Sequence, residues 1–351
     1  MTRALWLQVH KWIGLLLAAL IVPVSLSGAM LVWHEELEHV LHPERFAATG
    51  RATLSADAYV AAARAAVGQE ARIASLTLPG RDGGAVVVGA TAAPGGEGRP
   101  VRTSVHLDPG SARVLDVARS DQGLLRFLHV LHGSLYLPGV GRQVVGWIGV
   151  AMMLSAFTGL WLWWPASGRW TRGLRWARRR ELDANLHHRL GFWIALPLFV
   201  LSLTGAWISF PVLFGRLSGE ARPAGGGRAP PLATTRLTVA DALAAAPAET
   251  VRSVAWPTEK KRSWTLRLAD GQLAVNDVTG LVVREPAPTG GVARLMRRVH
   301  DGTGTPLLWR VVIFLGGLLP AVLAVTGIAM WWRARGWRGR VRAGTRRVAA
   351  A

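Results

Sequence analysis

The sequence predicts a polytopic α-helical membrane protein, with four transmembrane helices arranged as two parallel repeats, each carrying a small outer α+β domain. Three observations predict it. Half of the 351 residues are hydrophobic, and four apolar runs, at about 12–33, 143–164, 190–212 and 310–332, have the roughly 20 residues that cross a bilayer. Arginines crowd beside those runs. The chain also matches itself at fixed offsets.

The formal net charge of +20 reads as membrane topology. Arg169, Arg172, Arg175, Arg178, Arg179 and Arg180 lie between spans two and three. Arg333, Arg335, Arg338, Arg340, Arg342, Arg346 and Arg347 follow span four. Arginine flanking spans marks the cytoplasmic side, so both termini are expected on that side and the two long connections on the outer side. The charge therefore implies contact with anionic membrane lipid and no nucleic-acid partner. The absence of cysteine excludes thiolate iron–sulfur ligation, thiol catalysis, disulfides and covalent c-type haem.

Taken in order, helix 1 occupies 1–34, with Trp12 and Trp33 as interfacial anchors. Its apolar run is longer than a signal-peptide core, and it matches an internal segment, so it reads as a retained span. The first outer domain covers 35–128. Thr53 or Ser55 caps a helix over 56–67, and strands follow at Ile73–Leu78, Ala85–Gly89, Thr103–Leu107 and Arg113–Val117. The last two form a hairpin over Asp108-Pro109-Gly110, and Thr91–Pro100 reads as a loop. An outer interfacial segment and helix 2 take 129–165, and the basic cytoplasmic loop takes 166–186. Helix 3 takes 187–212. The second outer domain, 213–299, repeats the outline of the first: a linker at Gly219–Pro231, a helix at Thr238–Ala246, strands at Val251–Trp256 and Ser263–Leu268, and a hairpin over Val278-Thr279-Gly280. A second interfacial segment and helix 4 take 300–332, and a basic tail takes 333–351.

The self-match supports the repeats. An offset of 177 takes His10 to His187, Gly14 to Gly191 and Gly28 to Gly205. An offset of 168 takes Arg126 to Arg294, His132 to His300, Arg142 to Arg310, Thr158 to Thr326 and Trp163 to Trp331. Two spans per copy make the copies parallel rather than inverted.

Ligating side chains at membrane depth are costly and mark function. His10 and His187 open spans on the cytoplasmic side, while His132 and His300 precede spans on the outer side. Parallel repeats put equivalent residues at equal depth, so His10 can face His187 and His132 can face His300. Each pair then supplies two axial ligands to a b-type haem, which needs imidazoles and an apolar slot but no cysteine. Two haems, one near each face, make a transmembrane electron path. His34, His129 and His188 are alternative ligands. Arg142 and Arg310, with Arg126 and Arg294, are candidates for haem propionates or an anionic chelate. Two other readings stand: interfacial histidines with no ligand, and a zinc site at His129 and His132, for which acidic third ligands are few (Asp301, and Glu35, Glu36 or Glu38). No dinucleotide fingerprint, Walker loop or zincin motif is present, so the electron donor is external: a quinol or a cytoplasmic reductase.

The His-x-x-x-Gly openings of spans one and three, Leu131-His132-Gly133-Ser134-Leu135 with Thr158-Gly159 and Trp163-Trp164, and Val299-His300-Asp301-Gly302 with Thr326-Gly327 and Trp331-Trp332 resemble the PepSY-associated transmembrane family. The two outer hairpins are similar to its small PepSY domains. The resemblance implies periplasmic PepSY-like domains, haem b at His10, His187, His132 and His300, and reduction of a ferric siderophore or other ferric chelate. It also admits a non-enzymatic PepSY membrane protein that binds peptide or regulates a partner, or an accessory haem carrier of another redox complex.

Overall fold

The computed structural model describes residues 3–80, 84–91, 101–167, 169, 181–219, 229–246, 251–286 and 291–348, the side chains of 165–167 and 337–348 excepted. The expected loop at 92–100, most of the linker (220–228) and the arginine-rich stretch 170–180 lie outside the described residues. In chain order the helices are α1 (Arg3–Leu31), α2 (His34–Leu41), α3 (Ala56–Val67), α4 (Leu124–Ser134), α5 (Gly141–Ser167), α6 (Leu182–Ser209), α7 (Pro211–Leu217), α8 (Val239–Ala244), α9 (Val292–Asp301) and α10 (Leu307–Val348). The strands are β1 (Arg72–Thr77), β2 (Val86–Thr91), β3 (Arg102–Leu107), β4 (Val114–Arg119), β5 (Ser253–Ala255), β6 (Ser263–Arg267), β7 (Gln272–Asn276) and β8 (Val282–Glu285). They divide into two compact units, one drawn from residues 1–33, 127–222 and 290–351, the other from 34–126 and 223–289.

In the first unit α1, α5, α6 and α10 are long and apolar enough to cross a membrane. All four run past the apolar stretches that announced them, most of all α1 from Arg3, α6 from Leu182 and α10 to Val348. Hydropathy marks what a bilayer would cover, whereas the helical hydrogen-bond ladder continues through the polar flanks. Neighbouring contacts run α1–α5, α5–α6, α6–α10 and α10–α1, which closes a ring with α1 and α6 on one diagonal. Leu16, Leu196 and Val325 are exposed on the outside of the ring, as suits a lipid-facing surface.

Glycines set the closest approaches, and they do so in matching places. A Cβ on Gly149 of α5 would meet Ser202 O of α6 at 3.2 Å, and one on Gly317 of α10 would meet Ser25 O of α1 at 2.9 Å. Gly149 and Gly317 are 168 apart, and Ser25 and Ser202 are 177 apart, the two offsets of the self-match. Small residues at these crossings let backbones touch, as membrane helices require for close packing. Mid-bundle, Ile21, Ile148, Met152, Ala156, Ile194 and Leu198 form a buried apolar layer.

The second unit is one antiparallel sheet in the order β4-β3-β2-β1-β5-β6-β7-β8. The sequence divides this region into two small domains. The structure joins them, because β1 pairs with β5 through Ser75↔Ala255, Leu76↔Val254 and Thr77↔Ser253. Each four-stranded half alone would leave that edge open, and the pairing satisfies both rows of backbone groups. The halves share one core, with Tyr59 of α3 and Ala242 of α8 packed among Ile73, Leu76, Val88, Val105, Val254, Trp264 and Leu266. Ser55 caps α3 by accepting from Ala58 N at 3.3 Å, and Thr238 with Asp241 forms a capping box on α8.

Two buried carboxylates tie these halves internally. Asp108, 3% exposed, accepts from Thr49 N at 2.7 Å and from the hydroxyls of Thr49 and Ser111 at 2.9 and 2.6 Å. Asp277, 4% exposed, accepts from Arg236 N, Leu237 N and Trp264 Nε1. Each fastens the segment that leads into its helix. The Ser111 and Thr49 donors hold the Asp108 carboxyl below the usual carboxylate range.

Candidate cofactor site: two facing pairs of histidines

All four membrane helices carry a Ser/Thr-Gly dipeptide, and a histidine from another helix rests on each. His10 of α1 lies against Gly159 of α5, and His187 of α6 against Gly327 of α10. His132 of α4 lies against Gly28 of α1, and His300 of α9 against Gly205 of α6. A Cβ would come within 2.6 Å of the ring at Gly28, 3.0 Å at Gly159 and Gly205, and 3.4 Å at Gly327. The glycines are thus the floors on which the rings sit.

The neighbouring hydroxyl supplies the wall in three cases. Thr158 donates to Leu154 O at 2.8 Å, which leaves its oxygen to accept from His10 Nδ1 at 3.1 Å. Thr326 donates to Val322 O at 2.8 Å and accepts from His187 Nδ1 at 3.1 Å. Thr204 donates to Val200 O at 2.9 Å and accepts from His300 Nδ1 at 3.1 Å. Backbone carbonyls add to this: Ser155 O accepts from His10 and Leu201 O from His300, both at 3.1 Å. His132 instead donates to Val24 O at 2.8 Å, while Ser27 spends its hydroxyl on Pro23 O at 2.6 Å. In every case the Nδ1 partner is an acceptor, so the proton sits on Nδ1 and Nε2 keeps its lone pair. None of the four Nε2 atoms has a hydrogen-bond partner among the described residues. This is the tautomer that a metal-ligating histidine needs.

The rings then meet across the diagonal. His10 and His187 have centroids 6.3 Å apart, and His132 and His300 have centroids 6.0 Å apart. A metal between two imidazoles needs, on each side, a bond of about 2 Å plus roughly 1 Å from nitrogen to ring centre, or about 6 Å in all. Both pairs meet that spacing. Beside the inner pair, two glycines leave open space. Gly14 and Gly191 follow His10 and His187 by one helical turn on the same face; a Cβ at Gly14 would meet nothing within 4 Å, and one at Gly191 only Leu323 Cδ2 at 3.9 Å. In ring spacing and in the anchoring of Nδ1 the residues of both pairs suit bis-histidine ligation of a b haem. Val24 and Gly28 lie 14 and 18 residues along α1 from His10, which separates the two pairs by about 25 Å, and the apolar layer around Ile21 and Leu198 fills the interval.

The other candidates lie elsewhere. His34 opens α2 in the sheet-bearing unit. His129 is exposed one turn before His132, and His188 follows His187 without joining the ring pair. Among the described residues no three or more histidine, aspartate or glutamate side chains are placed to hold a metal ion, so a zinc site at His129 and His132 gains no third ligand. Arg142 donates to Ile208 O and Arg310 to Val32 O, the latter at 3.0 Å, and Arg310 also lies 4.6 Å over Trp33. Both guanidiniums thus serve the carbonyl ends of α6 and α1, where positive charge complements the helix dipole.

Sequence reasoning singled out the histidines but not the threonines that orient them. The signal was present in the recurrence of Ser27-Gly28, Thr158-Gly159, Thr204-Gly205 and Thr326-Gly327.

Residues 7–334 match the model of the family described as the PepSY-associated TM region. No curated protein matches the chain.

Proposed function

This chain belongs to the PepSY-associated TM region family, and from that premise we propose that it is an inner-membrane electron-transfer protein with two b haems that reduces a ferric siderophore or similar ferric chelate in the periplasm. Electrons come from the cytoplasmic side or the quinol pool. In this reading the chain is two parallel repeats, both termini are cytoplasmic and the PepSY-like sheet is periplasmic, as the arginines flanking the spans favour.

The observation that carries the reading is the double ring pair, each ring with its Nδ1 anchored and its Nε2 open. When bound, a bis-histidine haem b cycles between ferric and ferrous iron and so carries one electron. His10 and His187 would hold the inner group, His132 and His300 the outer one. Thr158, Thr204 and Thr326 fix the tautomer and orientation of their histidines, and such outer partners also raise ligand basicity. Buried apolar side chains fill the interval between the pairs, which suits electron transfer without acid–base chemistry.

The test is a spectrum. Purified full-length protein reduced with dithionite is expected to show b-type bands, and a ferric chelate is expected to reoxidise them. A colourless protein after expression with haem supplied would overturn the proposal. Bands that no ferric chelate reoxidises would move it to an accessory electron carrier.

A further inference from the structure

We infer that the outer ends of α4 and α9 form a docking site for an anionic, carboxylate-type ferric chelate, centred on Arg294, Arg297 and His129. The inference rests on the reading above, in which the outer histidine pair faces the acceptor. At about 100° per residue, Val292, Leu295 and Val299 share one side of α9, and Arg294, Arg297 and Arg298 share the opposite side. The same arithmetic puts Leu124, Phe127 and Leu131 on one side of α4 and His129 on the other. Val292, Leu295, Leu124 and Phe127 are exposed apolar side chains. A helix at the membrane boundary turns such a side into the acyl chains and its polar side to water. The arginines of α9 therefore face dissolved anions rather than the bilayer.

They also stand close to the paired rings. Arg297 precedes His300 by three positions and His129 precedes His132 by three, which makes each a surface neighbour with Cβ atoms about 5–6 Å apart. The two rings are 6.0 Å apart, so Arg297 and His129 lie one helical turn from the same ring pair. The side chains of Arg294 and Arg297 have no hydrogen-bond or ion-pair partner among the described residues. Arg298 donates to Gly304 O at 2.7 Å, and Asp301, the acidic residue of α9, accepts from Thr303 N at 2.9 Å. Two guanidiniums so exposed are suited to carboxylate oxygens, which their planar forks match in pairs. Bound there, the Fe(III) of the chelate gains one electron from the quinol or cytoplasmic reductant and becomes Fe(II), with no bond to the protein made or broken.

The test uses the full-length protein in nanodiscs of neutral phosphatidylcholine. Gallium(III)–EDTA, a monoanion that cannot be reduced, reports binding by calorimetry, and iron(III)–EDTA reports reoxidation of the dithionite-reduced protein. The R294E/R297E variant is expected to bind gallium(III)–EDTA about tenfold more weakly and to be reoxidised more slowly by iron(III)–EDTA. Its reoxidation by a cationic ferric trihydroxamate is expected not to slow, and R294Q/R297Q should fall between. Unchanged gallium(III)–EDTA binding in both variants, with b-type bands intact, would overturn the docking site alone. An effect confined to phosphatidylglycerol nanodiscs would also overturn it, in favour of lipid contact. Wild-type protein that binds gallium(III)–EDTA but lacks b-type bands would sink the electron-transfer reading and leave the anion site standing.

Discussion

His10 and His187 stand with ring centroids 6.3 Å apart although 177 positions separate them in the chain. Neither contacts the other's helix floor: His10 rests on α5 and His187 on α10. The pair is therefore held by four helices at once, and the spacing of its rings reports the packing of the whole bundle.

The glycine floors yield a ranked prediction. Alanine at Gly28 puts a Cβ within 2.6 Å of His132, at Gly159 and Gly205 within 3.0 Å of their histidines, and at Gly327 within 3.4 Å of His187. Haem content per protein should fall in that order, with Gly28→Ala losing most of the outer haem and Gly327→Ala nearly none. Equal loss in all four variants would show that the floors do not set ring position.

Replacing a threonine by valine keeps the shape and removes the acceptor. Thr326→Val should weaken haem retention about 10–100-fold, the usual cost of losing a histidine's outer partner. Ser27→Ala should leave it nearly unchanged, because His132 donates to Val24 O and Ser27 bonds its own helix. Haem transfer to apomyoglobin measures both, and equal rates for the two variants would contradict the assignment.

Acid should act on the sheet through Asp108. Its folded carboxyl titrates below the usual range because Ser111 and Thr49 donate to it. Such a group adds stability above its unfolded pKa of about 4, and that stability is lost as pH falls through the lower folded value. Full-length protein followed by tryptophan fluorescence should lose thermal stability between about pH 5 and pH 3. Asp108→Asn should start about 1–3 kcal/mol less stable and show a shallower acid loss. An unaltered pH profile in that variant would remove Asp108 from the account.

Much of the fold was legible because hydropathy and alternation report burial directly. Hydropathy marks the four spans, and the helix Ala56–Val67 has the bounds expected from its cap and alanine run. The two outer regions read as separate because no local signal announces that β1 pairs with β5, a contact between residues some 180 positions apart. Leu135 and Tyr136 adopt positive φ, 51° and 57°, where the matching stretch of the second half has Gly302 and Gly304. Nothing in a leucine or tyrosine marks a left-handed turn. At the site, depth and offset brought out the histidines, while the role of Thr158, Thr204 and Thr326 depends on helix rotation, which sequence spacing does not fix.

Redox titration of single histidine variants separates the two haems proposed for the two histidine pairs. Two b haems are expected in the wild type. His10→Ala and His187→Ala should each remove the same one, and His132→Ala and His300→Ala should each remove the other, with the remaining haem retaining its bis-histidine spectrum. Loss of one and the same haem in His10→Ala and His132→Ala would break the pairing of His10 with His187 and of His132 with His300, and no haem in the wild type would rule out both sites.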